Sequence, residues 1–168
     1  GWAIGVVVLF LFYWAEPRVE PWLGRQPAGM QAALAVALPL ALVFLHPADT
    51  EGRYPAEGAL TPASALVGMG LGLIMERARV RFDAGGSLGR RLARLVLGLA
   101  IVVATYAVPK LLLPAEMPFP AEVVARFVRY VLLGWVVAFV CPWLFVKLGL
   151  APRESEPAGA HRVVTSSP

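Results

Sequence analysis

Charged residues are scarce in this sequence. Asp, Glu, Lys and Arg make up 15% of the 168 residues, whereas a soluble domain carries about a quarter. Apolar residues make up 58%, and several apolar runs of about 15 to 22 residues have the length that a helix needs to cross a hydrocarbon core of about 30 Å. The composition therefore excludes an ordinary soluble domain and predicts an integral membrane protein.

Cysteine and histidine are almost missing. Cys141 is the only cysteine and lies inside an apolar run, which excludes a disulfide framework and a cysteine-based metal site. The two histidines, His46 and His161, fall in a predicted loop and in a polar tail, too far apart for a metal site or a catalytic relay. The sequence predicts no catalytic residue, no metal and no cofactor.

No carboxylate lies in the middle of an apolar run, which argues against a pump or a secondary transporter. The glycines at positions 68, 70 and 72 superficially match a nucleotide-binding pattern, but no predicted strand precedes them and no Gly-Lys-Ser or Gly-Lys-Thr occurs. Ser64, Gly68 and Gly72 are spaced four apart on one helix face, so we interpret them as residues for close helix packing.

The apolar runs predict an all-α fold, a polytopic transmembrane bundle of about five helices. We expect a transmembrane domain over residues 1–151 and a polar, disordered tail over residues 152–168. The five runs cover residues 1–14, 28–45, 59–75, 92–113 and 123–150. Glu16 and Pro17 are predicted to end the first, which is short enough to indicate a helix truncated at its start. Thr61 and Pro62 are predicted to cap the third, and Pro142 to kink the fifth.

The arginines predict an orientation in the membrane. With five crossings, eleven of the fifteen Lys and Arg residues fall on one side, in the first and third connections and the tail, and four fall on the other. The positive-inside rule then places the third connection and the tail in the cytoplasm, and we expect the membrane to be the bacterial cytoplasmic membrane.

Two groups of arginines are candidates for contact with lipid headgroups, because a guanidinium binds phosphate in a forked geometry. The third connection supplies Arg77, Arg79, Arg81, Arg90 and Arg91, for which a plain role in setting topology is the favoured alternative. Arg126 and Arg129 stand three apart at the outer end of the fifth helix, where snorkelling to the interface is favoured. Membrane lipids, not nucleic acid, are the expected partners.

Three blocks of sequence resemble the type 2 phosphatidic acid phosphatase superfamily. Residues 1–5, Gly-Trp-Ala-Ile-Gly, resemble the stretch that follows the third signature motif of that family. Residues 73–82, and residues 126–130 through 142–145, resemble the carboxy-terminal membrane region of bacterial members. The resemblance implies the membrane portion of a lipid phosphatase that hydrolyses phosphoric monoesters or pyrophosphates through a phospho-histidine.

The family's Lys and Arg motif, its Ser-Gly-His motif and its Arg-plus-His motif are all absent from this sequence. No catalytic residue can be carried over, so the chain is expected to be inactive alone and to partner upstream catalytic helices of the same protein. The alternative is a non-enzymatic membrane subunit or scaffold that packs through small-residue helix faces, with the third helix as an oligomer contact. A transporter fragment ranks third.

Overall fold

In the described residues all regular structure is helical. The computed structural model describes residues 2–47, 55, 57–112 and 118–153. The helices are α1 (Trp2–Gly24), α2 (Ala28–Leu45), α3 (Glu57–Arg79), α4 (Leu88–Leu112), α5 (Phe119–Trp135) and α6 (Cys141–Lys147), and a π-helical segment (Val136–Val140) joins α5 to α6 without a break. The predicted all-α polytopic bundle is confirmed.

Four of these helices are long and apolar enough to cross a membrane. Among the described residues these candidate spans are Ala28–Leu45, Gly58–Arg79, Leu88–Pro109 and Phe119–Lys147, with mean hydropathies from 1.6 to 2.1. The 22 residues of the second and third spans give helices of about 33 Å at 1.5 Å per residue, close to the thickness of a bilayer core.

The predicted end of α1 is wrong. The helix does not stop at Glu16 and Pro17 but continues to Gly24, with Pro17 and Pro21 inside it. A proline has a backbone angle that suits a helix, and its cost is one lost hydrogen bond and a clash with the carbonyl four residues back. At this exposed position the guanidinium of Arg18 donates to the Trp14 carbonyl at 2.6 Å and lies 4.4 Å from the Trp14 ring centroid, so this side chain lies along the helix beside Pro17.

Helix α3 lies between α2 and α5 and packs against both. It begins at Glu57, so the predicted cap by Thr61 and Pro62 is wrong, and Pro62 lies inside the helix. The position tolerates proline because only the bond to the Gly58 carbonyl is lost so near the helix start. Leu60, Ala63 and Val67 are buried along α3.

The distortion expected at Pro142 takes the form of the π-helical segment just before it. The N–H of Cys141 bonds to the carbonyl of Val136, five residues back, in place of the usual four. Proline cannot donate to the preceding turn and its ring crowds it, so widening that turn by one residue relieves both problems. The helix thus continues through Pro142 to Lys147.

The α1–α2 connection, the α3–α4 connection and the residues after α6 lie at one end of the bundle. Arg77 at the end of α3 is 3.6 Å from Glu20 near the end of α1. The N–H of Asp83 donates to the carbonyl of Pro152 at 3.2 Å. We call this the arginine-rich end of the bundle.

Candidate functional site

Arg94 organises the arginine-rich end. Its side chain is buried, with 7% of the residue exposed, although it belongs to the first two turns of a helix that is otherwise largely exposed. The guanidinium donates to the carbonyls of Ala84 and Gly85 at 2.9 and 3.0 Å and to that of Asp83 at 3.4 Å. It also lies 5.4 Å from the centroid of the Phe82 ring. Arg94 therefore fixes the α3–α4 connection onto α4.

The start of that connection is fixed by α3. The Glu76 carboxylate accepts a hydrogen bond from the N–H of Phe82 at 2.6 Å, and its carbonyl accepts from Val80 and Arg81. Val80 is 1% exposed, and Arg81 adopts a φ of 53°, in the left-handed region that turns the chain out of the helix. The connection is thus held from both flanking helices.

The chain after α6 closes the same cluster. Leu150 and Ala151 donate to the carbonyl of Phe145, at 2.9 and 3.2 Å, and Ala151 is buried with Val136, Cys141 and Phe145. The rings of Phe82 and Phe145 lie 6.2 Å apart, and Arg153 forms an isolated antiparallel bridge with Phe82. The first two residues of the predicted tail, Pro152 and Arg153, therefore pair with the α3–α4 connection. The rest of that prediction, residues 154–168, lies outside the described residues.

The arginines predicted to contact headgroups fall into two separate places. Arg77, Arg79, Arg81, Arg90 and Arg91 flank the α3–α4 connection and are all exposed. Arg77 faces Glu20, and the Nε of Arg91 donates to the Gly86 carbonyl at 3.2 Å. They share one end of the bundle but do not converge on a single pocket.

Arg126 and Arg129 lie in α5, whose start is at the opposite end of the bundle. Arg126 bonds to the carboxylate of Glu122 at 2.7 Å, one turn earlier. The Nε of Arg129 is buried and has no hydrogen-bond acceptor among the described residues. The sequence predicted a shared role for these two residues, and among the described residues only Arg126 pairs with a carboxylate.

The residues predicted for helix packing lie at the contact between α3 and α5. Ser64 is fully buried and donates to the Leu60 carbonyl at 2.6 Å. A Cβ on Gly68 would collide with the Val131 carbonyl and lie 2.9 Å from the Trp135 nitrogen, and one on Gly72 would lie 2.7 Å from the Ala138 Cβ. Because Gly68 and Gly72 carry no side chain, the backbones of the two helices lie too close together for even a methyl group at these positions.

Two further glycines are of this kind: Gly70, which the sequence indicated only within the alternating glycine pattern, and Gly134, which it did not indicate. A Cβ on Gly134 of α5 would collide with the Ala65 carbonyl, and one on Gly70 would lie 2.7 Å from the Ala35 Cβ of α2. Gly70 follows the same alternating glycine pattern as Gly68 and Gly72 but faces the other neighbour of α3. Gly134 stands alone in an apolar run, which gives no periodic signal.

A groove of about 480 Å³ runs between α4 and the continuous α5–α6 helix. Its apolar walls come from both helices: Leu95, Leu99, Val102, Val137, Cys141 and Phe145. Arg91 and Arg94 lie at its end beside the α3–α4 connection. A smaller cleft of about 340 Å³ lies between α1 and Arg77. No group of three His, Cys, Asp or Glu side chains that could hold a metal occurs within the part of the chain that the structure describes.

Comparison with known protein families gives one match. The model of the PAP2 superfamily phosphatase, transmembrane extension, matches residues 60–153. The chain belongs to this family. No curated protein and no solved structure matches it. With four helices able to span, membership in the PAP2 transmembrane-extension family identifies the chain as an integral membrane protein.

The limits of the PAP2 match coincide with features of the fold. It begins in α3 and ends at Arg153, the residue that bridges to Phe82. The PAP2 resemblance at residues 73–82 and 126–145 is confirmed, because both blocks lie within the match. Residues 1–5 lie outside it, so their resemblance to the stretch after the third catalytic motif stays a prediction.

Proposed function

We propose that this chain is the carboxy-terminal membrane portion of a PAP2 lipid phosphatase whose catalytic residues lie in other helices of the same protein. The observation that carries the proposal is the match of the transmembrane-extension family over residues 60–153. The reaction would be hydrolysis of a phosphoric monoester or pyrophosphate on a lipid-like substrate, and the chain's own contribution would be structural.

The exposed surface of helix α1 is the proposed packing site for the catalytic helices. Its apolar side chains are exposed from Val6 to Trp14, with Leu9 and Phe10 about 70% exposed. Helices α2 to α6 therefore do not cover it, although its other end contacts Arg77 through Glu20. A helix that is apolar all round suits either lipid or further transmembrane helices. We propose that the catalytic helices pack on this surface.

The proposed role makes the chain inactive alone. The three motifs that supply the family's nucleophilic histidine, phosphate-binding arginines and general acid are absent from this sequence. A phospho-enzyme cannot form without the nucleophile. The arginines around the α3–α4 connection would then act on the membrane surface, where each basic residue attracts anionic lipid by about 1 kcal/mol.

The scaffold alternative loses its main sequence argument. It required the glycines of α3 to contact another subunit, whereas Gly68 and Gly72 contact α5 and Gly70 contacts α2 of the same chain. An oligomer would have to use another surface.

Phosphate release from phosphatidic acid and from a polyprenyl pyrophosphate tests the proposal. The purified chain should release no phosphate, and co-expression with the upstream segment of its own reading frame should restore release. The control is the same segment with its Ser-Gly-His histidine replaced by alanine, which should stay inactive. Phosphate release by the chain alone would contradict the proposal, as would an upstream reading frame without the three motifs.

A further inference from the structure

The groove between α4 and the α5–α6 helix combines an apolar length with a basic end. Its walls are aliphatic and aromatic apart from Cys141 and the arginines, and it is open along one side. The open side is bounded by α4. Of the residues in its most apolar stretch 6% are buried, against 33% of those in the corresponding stretch of α3. Because α4 has so little protein packed on it, the bilayer is the medium that fills this face.

The dimensions of the groove suit one leaflet. From Arg91 to Val102, the lining residues of α4 extend over about 16 Å of helix at 1.5 Å per residue. Half of a hydrocarbon core is about 15 Å thick. An acyl chain that entered from the arginine-rich end would therefore reach about the bilayer midplane at the far end of the groove. Gly98 lines the floor, where a Cβ would come within 3.3 Å of the Phe145 ring, so this glycine keeps the groove open.

The two arginines at the basic end differ in what they can bind. Arg94 is buried and its guanidinium is occupied by three backbone carbonyls. Carbonyls are neutral, and no carboxylate pairs with Arg94 among the described residues, so its positive charge is not cancelled. Arg91 is exposed, and its Nε donates to Gly86. Within the described residues its two terminal nitrogens have no acceptor, and they are the pair that a phosphate engages in a forked geometry.

We propose that this groove binds one anionic phospholipid, with an acyl chain between α4 and α6 and the headgroup phosphate on Arg91. The charge of Arg94 reinforces the attraction, while its hydrogen bonds keep the α3–α4 connection in place beside the headgroup. The proposal concerns lipid binding by this chain itself, so it holds or fails independently of the phosphatase assignment.

The test is native mass spectrometry of the full chain released from detergent with added lipid. Phosphatidylglycerol and phosphatidylcholine with identical acyl chains separate the headgroup from the tail. The wild type should retain one phosphatidylglycerol at a concentration at which it retains little phosphatidylcholine. Arg91→Gln should weaken phosphatidylglycerol binding about fivefold, as expected from the loss of one basic contact, and leave phosphatidylcholine binding unchanged. Arg79→Gln, an exposed arginine at the same end but outside the groove, is the control and should match the wild type.

A second pair of variants tests the acyl channel. Leu99→Trp should fill the groove and weaken both lipids at least fivefold, whereas Val96→Trp should have no effect. Leu99 and Val96 are 61% and 67% exposed on the same helix, and of the two only Leu99 lines the groove. Circular dichroism of each variant checks that it is folded.

Three results would overturn the proposal. The first is an equal loss of phosphatidylglycerol in Arg91→Gln and Arg79→Gln, which would mean general surface charge. The second is unchanged lipid binding in folded Leu99→Trp. The third is displacement of phosphatidylglycerol by an equal concentration of free glycerol phosphate, which would mean that the site recognises phosphate without the lipid tail.

Discussion

At the scale of single residues, arginines of similar sequence context have different roles. Arg90, Arg91 and Arg94 lie within five residues of one another at the start of α4. Arg90 and Arg91 are exposed, whereas Arg94, one turn further, is buried among carbonyls. Residues three and four apart share a helix face, so the difference comes from the position along α4: Arg94, one turn further in, lies against the Phe82 ring and the carbonyls of residues 83–85.

Arg94→Met should destabilise the arginine-rich end. Methionine keeps the apolar stem but leaves the carbonyls of Asp83, Ala84 and Gly85 without their donor. Because a hydrogen bond from a charged donor contributes about 1.5 to 3 kcal/mol, we expect the free energy of unfolding to fall by about 2 kcal/mol. Denaturation in mixed detergent micelles measures this. Arg90→Met is the matched control, and a loss as large as that of Arg94→Met would refute the role of the buried guanidinium.

At the scale of elements, α3 is the centre of the bundle because glycines on two of its faces let neighbouring helices come close. Gly68 and Gly72 admit α5 and Gly70 admits α2. Transmembrane helices associate by packing and not by a hydrophobic gain, so the close approach that small residues permit is the main source of stability here. The π-helical segment lies at the same contact, since Ala138 within it touches Gly72.

Gly68→Ala should separate α3 from α5. The added methyl would overlap the Val131 carbonyl, which is backbone and cannot rotate away. Overpacking of this kind costs 1 to 3 kcal/mol, and we expect a loss of about 2 kcal/mol in the free energy of unfolding in micelles. Gly29→Ala in α2 is the control, because nothing lies within 4 Å of its added methyl and alanine favours helix. A Gly68→Ala variant as stable as Gly29→Ala would show that the close contact is absent.

At the scale of the whole molecule, three chain segments meet at the arginine-rich end: the ends of α1 and α3 through Glu20 and Arg77, and the residues after α6 through Pro152 and Asp83. Five crossings, the predicted number, would place these segments on one side; among the described residues four helices are candidate spans. Which side of the membrane this end faces is a prediction from the positive-inside rule.

Cysteine accessibility tests that orientation. In a Cys141→Ala background, Ser87→Cys should be labelled by a membrane-impermeant maleimide only after the cells are opened, because the rule places the arginine-rich connection in the cytoplasm. Glu57→Cys, at the start of α3, should be labelled in intact cells. Labelling of both positions from the same side would contradict the crossing of α3, and an exchange of the two results would reverse the orientation.

Sequence by itself determined the membrane class, the number of long helices and the family, because these depend on the length of apolar runs and on local blocks of residues. It placed Ser64, Gly68 and Gly72 on one face through their spacing of four. It failed at Pro17 and at Pro62, each of which it treated as a helix boundary. In both places the helix continues through the proline at the loss of a single hydrogen bond.

Tertiary structure alone decided which arginine is buried, which glycine faces which neighbour, and how residues 150–153 close onto the α3–α4 connection. These features join different segments of the chain, from Arg94 and Asp83 to residues as far apart as Phe82 and Arg153, and no periodic pattern within one segment encodes a contact with another. The groove beside α4 is of the same kind, because its two walls come from different helices and the α3–α4 connection lies beside its basic end, Arg91 and Arg94.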